Sequence, residues 1–522
     1  MASYEGFYPG TDYGFDSGNM KIDNPNSTSR FGITTDPRTA NQLKEVSAKL
    51  STGAKLIEVT GISPEILESI PNQHLEELNR LRKLAGAELT FHGPLIEPTG
   101  IGRDRWDETQ RKDAENQIWG AVERANKMDP EGNIIVTLHS SNGLPEPTQR
   151  VIDETGEEIT SNLFIIDERT GRIAPIPKPT RDYFSKEEEK LDVDKTLKDL
   201  NEKNWTQSLN HLNAAALEGR KAIREALELR ETISHNEPNL SQNLVNLYLK
   251  AKDNPKEYQN EIDKIRKDVS PIAADLLQKG VDYLNHGENF VKNAYLELKE
   301  LYNQAYETSK INDDKNNIEK LEEYRKEVAP IINKYEKDPS KLNEFSEEIY
   351  KGIMLLGSLK EAPETFKPLE NFAINKASET FSNVAFKAFE KFKEKAPIIS
   401  IENPPAGMGL SRAEELSKLI EKTRDKFVEK VMEKEGLSKS EARKQAEKLI
   451  GATWDVGHIN MIRKHGYGEE KLLEQTEKMG KYIKHVHLSD NFGMEHTELP
   501  MGMGNVPIKK EMEIMEKYNK KL

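Results

Sequence analysis

Short apolar runs alternate with longer amphipathic stretches along much of this chain, and this alternation limits the folds it can adopt. Seven runs rich in β-branched residues are typical of strands, at 31–35, 56–60, 88–92, 134–139, 398–402, 452–455 and 483–488. Stretches with helical periodicity separate most of them, at 38–50, 64–85, 108–127, 411–450 and 468–481. Strands that alternate with helices form βαβ units and pair in parallel, so the pattern favours a (β/α)8 TIM barrel over an open sheet.

A long insertion interrupts the alternation between the fourth and fifth predicted strands. Two hairpin-like pieces follow the fourth strand, and then comes a long, mainly α-helical stretch that prolines divide into several helices. We predict five regions: an irregular N-terminal arm at 1–30, the first part of the barrel at 31–144, a β-hairpin connector at 145–184, a helical insertion domain at 185–395 and the second part of the barrel at 396–522. The helical insertion offers a surface for a protein partner or for a homo-oligomer.

The composition limits the chemistry that the chain can perform. Its 522 residues include no cysteine, which excludes disulfides, thiolate zinc sites and cysteine nucleophiles, so any metal must be held by His, Asp or Glu. The formal net charge of −14 argues against broad, sequence-independent binding to nucleic acid but leaves room for a local basic groove. With no signal peptide and no run of about 18 apolar residues in the sequence, we expect a cytoplasmic protein without a membrane partner.

Residues that can bind a metal stand at the ends of five successive predicted strands. In a parallel barrel, the carboxyl ends of the strands and the loops after them form the active-site face. Carboxylates crowded there would repel one another, and a divalent cation would neutralise them while using imidazoles as neutral donors. The predicted metal ligands are His92, His139, Glu402, Asp455, His458, His487, His496 and Glu498.

His485 is set apart from these ligands. Strand alternation places it on the same side as His487 but deeper in the barrel, so we predict a core or supporting role for it. The other histidines stand in helical or loop contexts and are predicted to be structural.

Four short pieces of sequence resemble one known family. They are 401–403 (Ile-Glu-Asn), 454–458 (Trp-Asp-Val-Gly-His), 487–491 (His-Leu-Ser-Asp-Asn) and 499–506 (Leu-Pro-Met-Gly-Met-Gly-Asn-Val). Their wording and order resemble the xylose isomerase-like TIM-barrel superfamily, which groups sugar isomerases and epimerases with the endonuclease IV family of AP endonucleases. The resemblance covers about 31–144 and 396–522 and leaves the insertion outside it.

The resemblance implies a set of metal sites, because endonuclease IV-like members bind three zinc ions. It places the first ion at His92, His139 and Glu402. It places the second at Glu402, Asp455 and His487, with Glu402 as the bridge, and the third at His458, His496 and Glu498. We expect Zn²⁺, with Mn²⁺, Mg²⁺ and Fe²⁺ as alternatives. We assign catalytic roles to Glu402, Asp455 and His458, and substrate binding to Asn403, Asp490 and Asn491.

Two features depart from the family pattern. Where the family has an Asp-x-His pair before the Gly-x-Gly turn, this chain has His496-Thr-Glu498. The eighth strand of the family supplies a further metal-binding Glu, but here the turn is followed by a predicted helix at 509–522, and no eighth strand is evident. The predicted second site is therefore one carboxylate short.

Three functions are compatible with these patterns. The first is multi-metal phosphoester hydrolysis resembling that of endonuclease IV, on abasic DNA or a small phosphorylated substrate. The second is single-metal isomerisation or epimerisation of a sugar or sugar phosphate. The third is a non-catalytic barrel scaffold that carries a helical interaction module. We favour hydrolysis, because an isomerase with one metal does not need His92, His139 and His458 as ligands.

Overall fold

The computed structural model describes residues 31–176, 193–241, 243–311, 313–337, 339–359 and 362–518. The predicted N-terminal arm at 1–30 and the end of the predicted connector at 177–184 lie outside these residues. The chain divides into two compact units. We call them the sheet unit, Met1–Lys178 with Lys367–Leu522, and the helical unit, Pro179–Phe366.

The helices and strands follow one another in three blocks. The first block is β1 (Ile33–Thr34), α1 (Gln42–Ser51), β2 (Leu56–Thr60), α2 (Pro64–Ser69), α3 (Asn72–Ala85), β3 (Glu88–His92), α4 (Glu108–Met128), β4 (Ile135–His139), β5 (Thr148–Ile152), β6 (Glu158–Asp167) and β7 (Ile173–Pro175). The second is α5 (Val193–Asn236), α6 (Pro238–Ser241), α7 (Asn243–Asp253), α8 (Pro255–Asp268), α9 (Pro271–Ile311), α10 (Lys315–Lys337) and α11 (Leu342–Gly357). The third is β8 (Phe366–Pro368), α12 (Leu369–Phe392), β9 (Ile398–Glu402), α13 (Ala413–Glu435), α14 (Lys439–Leu449), β10 (Ile450–Asp455), α15 (Val456–Asn460), α16 (Glu469–Met479), β11 (Ile483–His487) and α17 (Ile508–Tyr518).

Seven parallel strands form the main sheet, in the order β1, β2, β3, β4, β9, β10, β11. Neighbours in the sheet are thus also successive strands of this set along the chain. β4 pairs directly with β9, with His139 opposite Glu402, although all of α5 to α11 lies between them in sequence. The α/β class with a parallel sheet and a large helical region is therefore confirmed. In the sheet unit, β5, β6 and β7 form an antiparallel meander.

The main sheet curls strongly. Glu58 on β2 and His485 on β11 belong to strands that are five positions apart in the pairing order. In a flat sheet, that separation would be about 24 Å at about 4.8 Å per strand. The Oε2 atom of Glu58 nevertheless lies 3.2 Å from Nε2 of His485. The side chains of the second and last strands of the sheet therefore meet inside the curl.

Strand alternation gives the curled sheet an apolar outer face and a polar inner face. The outer side chains pack into the main core and include Ile57, Val59, Leu89, Phe91, Val136, Leu138, Ile399, Ile401 and Trp454. The inner side chains include hydroxyl groups that bond to one another: Thr137 and Thr453 lie 2.9 Å apart, and Thr453 donates to Ser400 at 2.7 Å. These hydroxyls form a polar floor beneath the ends of the strands.

Helix α12 belongs to the sheet unit, although its sequence lies inside the predicted insertion domain at 185–395. Its apolar face buries Phe381 and Phe389, and the helix packs against α4 and α13. It thereby provides the crossover helix that precedes β9. The amphipathic pattern of α12 resembles that of the helices before it, so the sequence alone did not show this boundary.

Local signals divide two of the longer predicted helices. The predicted helix at 64–85 is interrupted before Pro71, which precedes α3. The predicted helix at 411–450 ends first at Gly436, where a left-handed φ of 68° suits glycine. It restarts with a capping box between Ser438 and Glu441. None of the helices that the structure describes combines the length and apolar character of a membrane span.

Two glutamates on helices of the sheet unit are buried and have raised pKa values. Glu415 on α13 is fully buried, and among the described residues neither of its oxygens accepts a hydrogen bond. Burial, with the charges of Glu370 and Glu146, raises the pKa of Glu415 to about 8. Glu511 on α17 accepts a hydrogen bond from Thr476, and burial raises the pKa of Glu511 to about 8 as well.

We expect the stability of the sheet unit to fall as the pH rises from about 4.5 to about 8. The folded state keeps both protons through this window, whereas the unfolded chain releases them at the ordinary glutamate pKa of 4.5. Glu415→Gln should therefore be more stable than the wild type at pH 8.5, and this gain should shrink towards pH 5. Urea unfolding across this range measures the effect. Glu429→Gln, an exposed position on the same helix, is the control, and an equal pH slope in wild type and Glu415→Gln would contradict the expectation.

Candidate metal centre

Side chains from six strands converge on the inside of the curl. They lie at or near the carboxyl ends of β2, β3, β4, β9, β10 and β11, which is the end of a parallel sheet where active sites form. The described residues include three sets whose possible ligand atoms lie within 4.8 Å of one another inside each set. These sets are His92, His139 and Glu402; Glu402, Asp455 and His487; and Glu58, His485 and His487. The first two are the sets that the resemblance implies for the first two ions.

The first set, which we call the His92 cluster, consists of His92, His139 and Glu402. The Nε2 atoms of both histidines lie 3.2 Å from the same carboxylate oxygen, Oε2 of Glu402. This oxygen is buried and accepts no hydrogen bond from the described residues. Nδ1 of His92 lies 2.9 Å from the carbonyl of Gly93, which can only accept, so Nδ1 carries a proton. In the neutral ring, Nε2 therefore points its lone pair towards Glu402.

His487 lies between two glutamates. Its Nδ1 is 2.7 Å from Oε1 of Glu402, and its Nε2 is 3.1 Å from Oε1 of Glu58. Asp455 is farther away, with its Oδ2 at 3.9 Å from Nδ1 of His487. Glu402 therefore uses its two oxygens differently, one towards the His92 cluster and the other towards His487.

Glu58 is the functional candidate that the sequence patterns missed. It is buried in the middle of β2, and its carboxylate contacts both His485 and His487. Thr90 donates a hydrogen bond of 3.3 Å to its Oε2. A signal was present: Glu58 is a charged residue between the apolar Ile57 and Val59, and alternation places it on the inner face. The predicted ligands lie at strand ends, whereas Glu58 lies in the middle of its strand.

The predicted third set is only partly assembled. Nε2 of His458 lies 2.9 Å from Nε2 of His496, and Nδ1 of His458 lies 2.7 Å from the carbonyl of Asn403. Asp455 Oδ2 is 3.7 Å from Nε2 of His458. Glu498 is 3.8 Å from His496, and its side chain is 75% exposed. The structure thus brings His458 and His496 together beside Asp455 and leaves Glu498 at the surface.

Asn403, Asp490 and Asn491 hold loops in place in this structure, in contrast to their predicted role in substrate binding. All three are fully buried. Asn403 exchanges two hydrogen bonds with the backbone of Asp455, at 2.8 and 3.0 Å. The carboxylate of Asp490 accepts from the backbone of Gly502, Gly504 and Val506. Asn491 donates to the carbonyl of Gly457 and accepts from Gly493 and Asn460. Their polar groups are therefore engaged by the protein itself.

Charge at the centre is strongly coupled. Burial lowers the pKa of His487, but Glu58 and Glu402 outweigh this effect and hold that pKa well above its usual range. Burial raises the pKa of Glu402, but His487 and His139 outweigh it and hold the pKa well below its usual range. Burial lowers the pKa of His139, which favours a neutral ring. A divalent cation binds neutral imidazoles and ionised carboxylates, so an ion bound at His487 would displace the proton that the two glutamates retain there.

Comparisons of the chain with models of known protein families, with curated proteins and with solved structures found no match. We therefore infer function from the residues of the centre and their geometry.

Proposed function

We propose that the protein is a divalent-metal-dependent phosphoester hydrolase and that the His92 cluster holds its first ion. One observation carries this proposal: two imidazole nitrogens face a buried Glu402 oxygen that accepts no hydrogen bond from the described residues. The separations of 3.2 Å are also close to those of a zinc site, because ligand atoms at 2.0–2.2 Å in a tetrahedron lie about 3.3–3.6 Å apart. A cation at this point would provide Glu402 Oε2 with the partner that the described part of the chain does not supply.

The fold supports the same proposal. The parallel strands follow the chain order, the sheet curls, and the candidate ligands gather at the carboxyl ends of the strands. A (β/α)8-type barrel has this arrangement. We propose that the sheet is a barrel of this type, with β1 and β11 at the two ends of its pairing order.

Residues next to the His92 cluster fit a hydrolytic role. A metal ion bound there would supply a hydroxide near neutral pH and positive charge for a phosphoryl oxygen. Asp455 accepts a hydrogen bond from the backbone of His458 at 2.8 Å, and the carbonyl of Asn403 holds the His458 ring through Nδ1 at 2.7 Å. The His458–His496 pair joins the buried centre to the surface, because the side chain of His496 is 42% exposed. We assign this pair the task of moving a proton between the reacting oxygen and solvent.

Apolar side chains beside His496 suit a substrate with a ring as well as a phosphate. Phe492, Met494, Met501 and Met503 are all between 46% and 63% exposed and lie in the segment that follows β11. Exposed aromatic and thioether groups pack against sugar and base rings. The substrate classes we propose are a small phosphorylated sugar compound and an abasic nucleic-acid strand.

A second function, isomerisation or epimerisation of a sugar phosphate, is favoured by Glu58. The sequence left the second predicted metal site one carboxylate short. In the structure, Glu58 and Glu402 lie on either side of His487, so two carboxylates are present that could take up and return a proton.

An activity comparison with metal-loaded protein separates these functions. We expect hydrolysis of bis(p-nitrophenyl) phosphate or of an abasic-site duplex, its loss on chelation, and its loss in His92→Asn. His211→Asn, an exposed histidine of the helical unit, is the matched control and should keep full activity. Turnover confined to the isomerisation of sugar phosphates would replace the first function with the second. No turnover of any substrate in fully loaded protein would contradict both and favour a scaffold.

A further inference from the structure

A second cluster, Glu58, His485 and His487, repeats the geometry of the His92 cluster. We call it the Glu58 cluster. In each cluster, two histidine Nε2 atoms lie 3.2 Å from one oxygen of a buried glutamate. In the His92 cluster, the oxygen is Oε2 of Glu402. In the Glu58 cluster, it is Oε2 of Glu58, with Nε2 of His485 and of His487 both at 3.2 Å. The ligand atoms of each cluster lie within 4.8 Å of one another.

The distances at His487 distinguish its two ring nitrogens. Nδ1 lies 2.7 Å from Glu402, which is the length of a hydrogen bond between a ring N–H and a carboxylate. Nε2 lies 3.1 and 3.2 Å from the two oxygens of Glu58. These separations lie at the long end of the hydrogen-bond range and just below the roughly 3.3–3.6 Å between two ligands of a tetrahedral zinc ion. Release of the Nε2 proton on metal binding would leave His487 donating from Nδ1 to Glu402 and would present the lone pair of Nε2 to an ion held with Glu58 and His485.

We propose that Glu58, His485 and His487 form a divalent cation site, separate from the His92 cluster, that accepts Zn²⁺ or a similar ion. Glu402 and Thr90 support this site from either side. Glu402 accepts the Nδ1–H of His487, and Thr90 donates to Glu58 at 3.3 Å. Histidines that bind a metal commonly donate their other ring nitrogen to a carboxylate in this way, which fixes the tautomer.

This assignment differs from the one that the family resemblance implies. The resemblance places the second ion with Asp455, but Oδ2 of Asp455 is 3.9 Å from Nδ1 of His487, the nitrogen that already faces Glu402. The proposed site also makes His485 a metal ligand, whereas the sequence predicted a core or supporting role for it. The carboxylate that the eighth strand was expected to supply comes instead from β2. An ion here would join β11 to β2 across the inside of the curl.

The site is tested by metal binding, independently of any activity. Apo-protein is dialysed against Zn²⁺, and the bound ions per chain are counted for the wild type, Glu58→Gln, His485→Asn and Asp455→Asn. We expect Glu58→Gln and His485→Asn each to hold one ion fewer than the wild type, or to bind that ion roughly 100-fold more weakly. Asp455→Asn should keep the ion of the Glu58 cluster. In protein loaded with Co²⁺, the absorption spectrum should show the Glu58 cluster occupied in Asp455→Asn and empty in Glu58→Gln.

Controls keep the outcome interpretable. Circular dichroism and retention of the ion at the His92 cluster establish that each variant is folded. Because Glu58→Gln and His485→Asn both test the site, the test still works if one of them does not fold. Glu58→Gln and His485→Asn that bind as many ions as the wild type, with equal affinity, would show that Glu58 only accepts hydrogen bonds from two histidines. Loss of the ion only in Asp455→Asn would restore the assignment from the resemblance. The ion count tests the Glu58 cluster, and turnover tests the proposed hydrolysis. Because the two are separate measurements, either proposal can be contradicted while the other is supported.

Discussion

Glu402→Gln is expected to lower phosphoester hydrolysis by at least about 1,000-fold, which corresponds to about 4 kcal/mol of lost transition-state stabilisation. The substitution keeps the size of the side chain but removes the charge that the cation of the His92 cluster needs. It also places an amide opposite the two imidazole nitrogens that now face Oε2. We expect kcat/KM to fall with added metal present, because the site can no longer hold its ion.

Glu415→Gln is the matched control for this result. Glu415 is also a fully buried glutamate of the sheet unit, but it lies on α13 and has no contact with the His92 cluster among the described residues. It should retain wild-type turnover at pH 7. Glu402→Gln with undiminished activity would remove the His92 cluster from the reaction, since both imidazole nitrogens of the cluster face this one carboxylate oxygen.

Arg412→Met is expected to destabilise the sheet unit by about 3–5 kcal/mol. The guanidinium of Arg412 is 4% exposed, lies 2.8 Å from the carboxylate of Glu146, and donates to the hydroxyl of Tyr467 at 2.9 Å. Removal of the cation leaves the buried carboxylate of Glu146 without its charged partner, beside the fully buried Glu415. Urea unfolding followed by tryptophan fluorescence measures the loss, because Trp106, Trp119 and Trp454 all lie in the sheet unit.

Two further variants separate this cause from simple loss of packing. The double variant Arg412→Met with Glu146→Leu should recover most of the stability, because no buried charge is left without a partner. Arg443→Met, at an ion-paired arginine with 35% side-chain exposure, should cost less than about 1 kcal/mol. An equal decrease in the free energy of unfolding for Arg412→Met and Arg443→Met would show that the buried Arg412–Glu146 pair contributes no more to stability than an exposed pair.

The sequence predicted the sheet well, because its strands are short, rich in β-branched residues and bounded by helices. The strands at 56–60, 88–92 and 398–402 are confirmed without change, and the one predicted at 31–35 shrinks to Ile33–Thr34. Helix boundaries were harder. The break at Gly436 depends on one left-handed residue, and the assignment of α12 depends on which surface its apolar face covers. The assignment of α12 to the sheet unit depends on its packing against distant parts of the chain, which the sequence pattern does not show.

Much of the candidate centre was also predictable, because parallel strands place their ends together. His92, His139 and Glu402 meet as their positions at the ends of β3, β4 and β9 require. Glu58 was missed because its contact with His487 depends on the curl of the whole sheet, which brings β2 to β11. A single strand pattern contains no such information.

The roles of the loop residues could not be deduced from residue type. Asn403 and Asp490 are polar and follow strands, as substrate-binding residues often do. Their side chains turn inwards because the buried backbone N–H and C=O groups of tight loops need hydrogen-bond partners. The backbone of these loops does not pair all of those groups with one another, and the side chains of Asn403 and Asp490 bond to the remaining ones. Which polar residue faces substrate and which satisfies the loop is decided by the path of the backbone.

The metal content of the purified protein tests the central claim, that His92, His139 and Glu402 bind a divalent cation, most directly. Protein prepared without added metal and without chelator is analysed by inductively coupled plasma mass spectrometry, for the wild type and for Glu402→Gln side by side. We predict at least one transition-metal ion per wild-type chain, zinc foremost, and at least one ion fewer in the variant. Wild-type protein that holds no ion and takes up none at micromolar Zn²⁺, or a variant that binds as many ions as the wild type, would contradict the account.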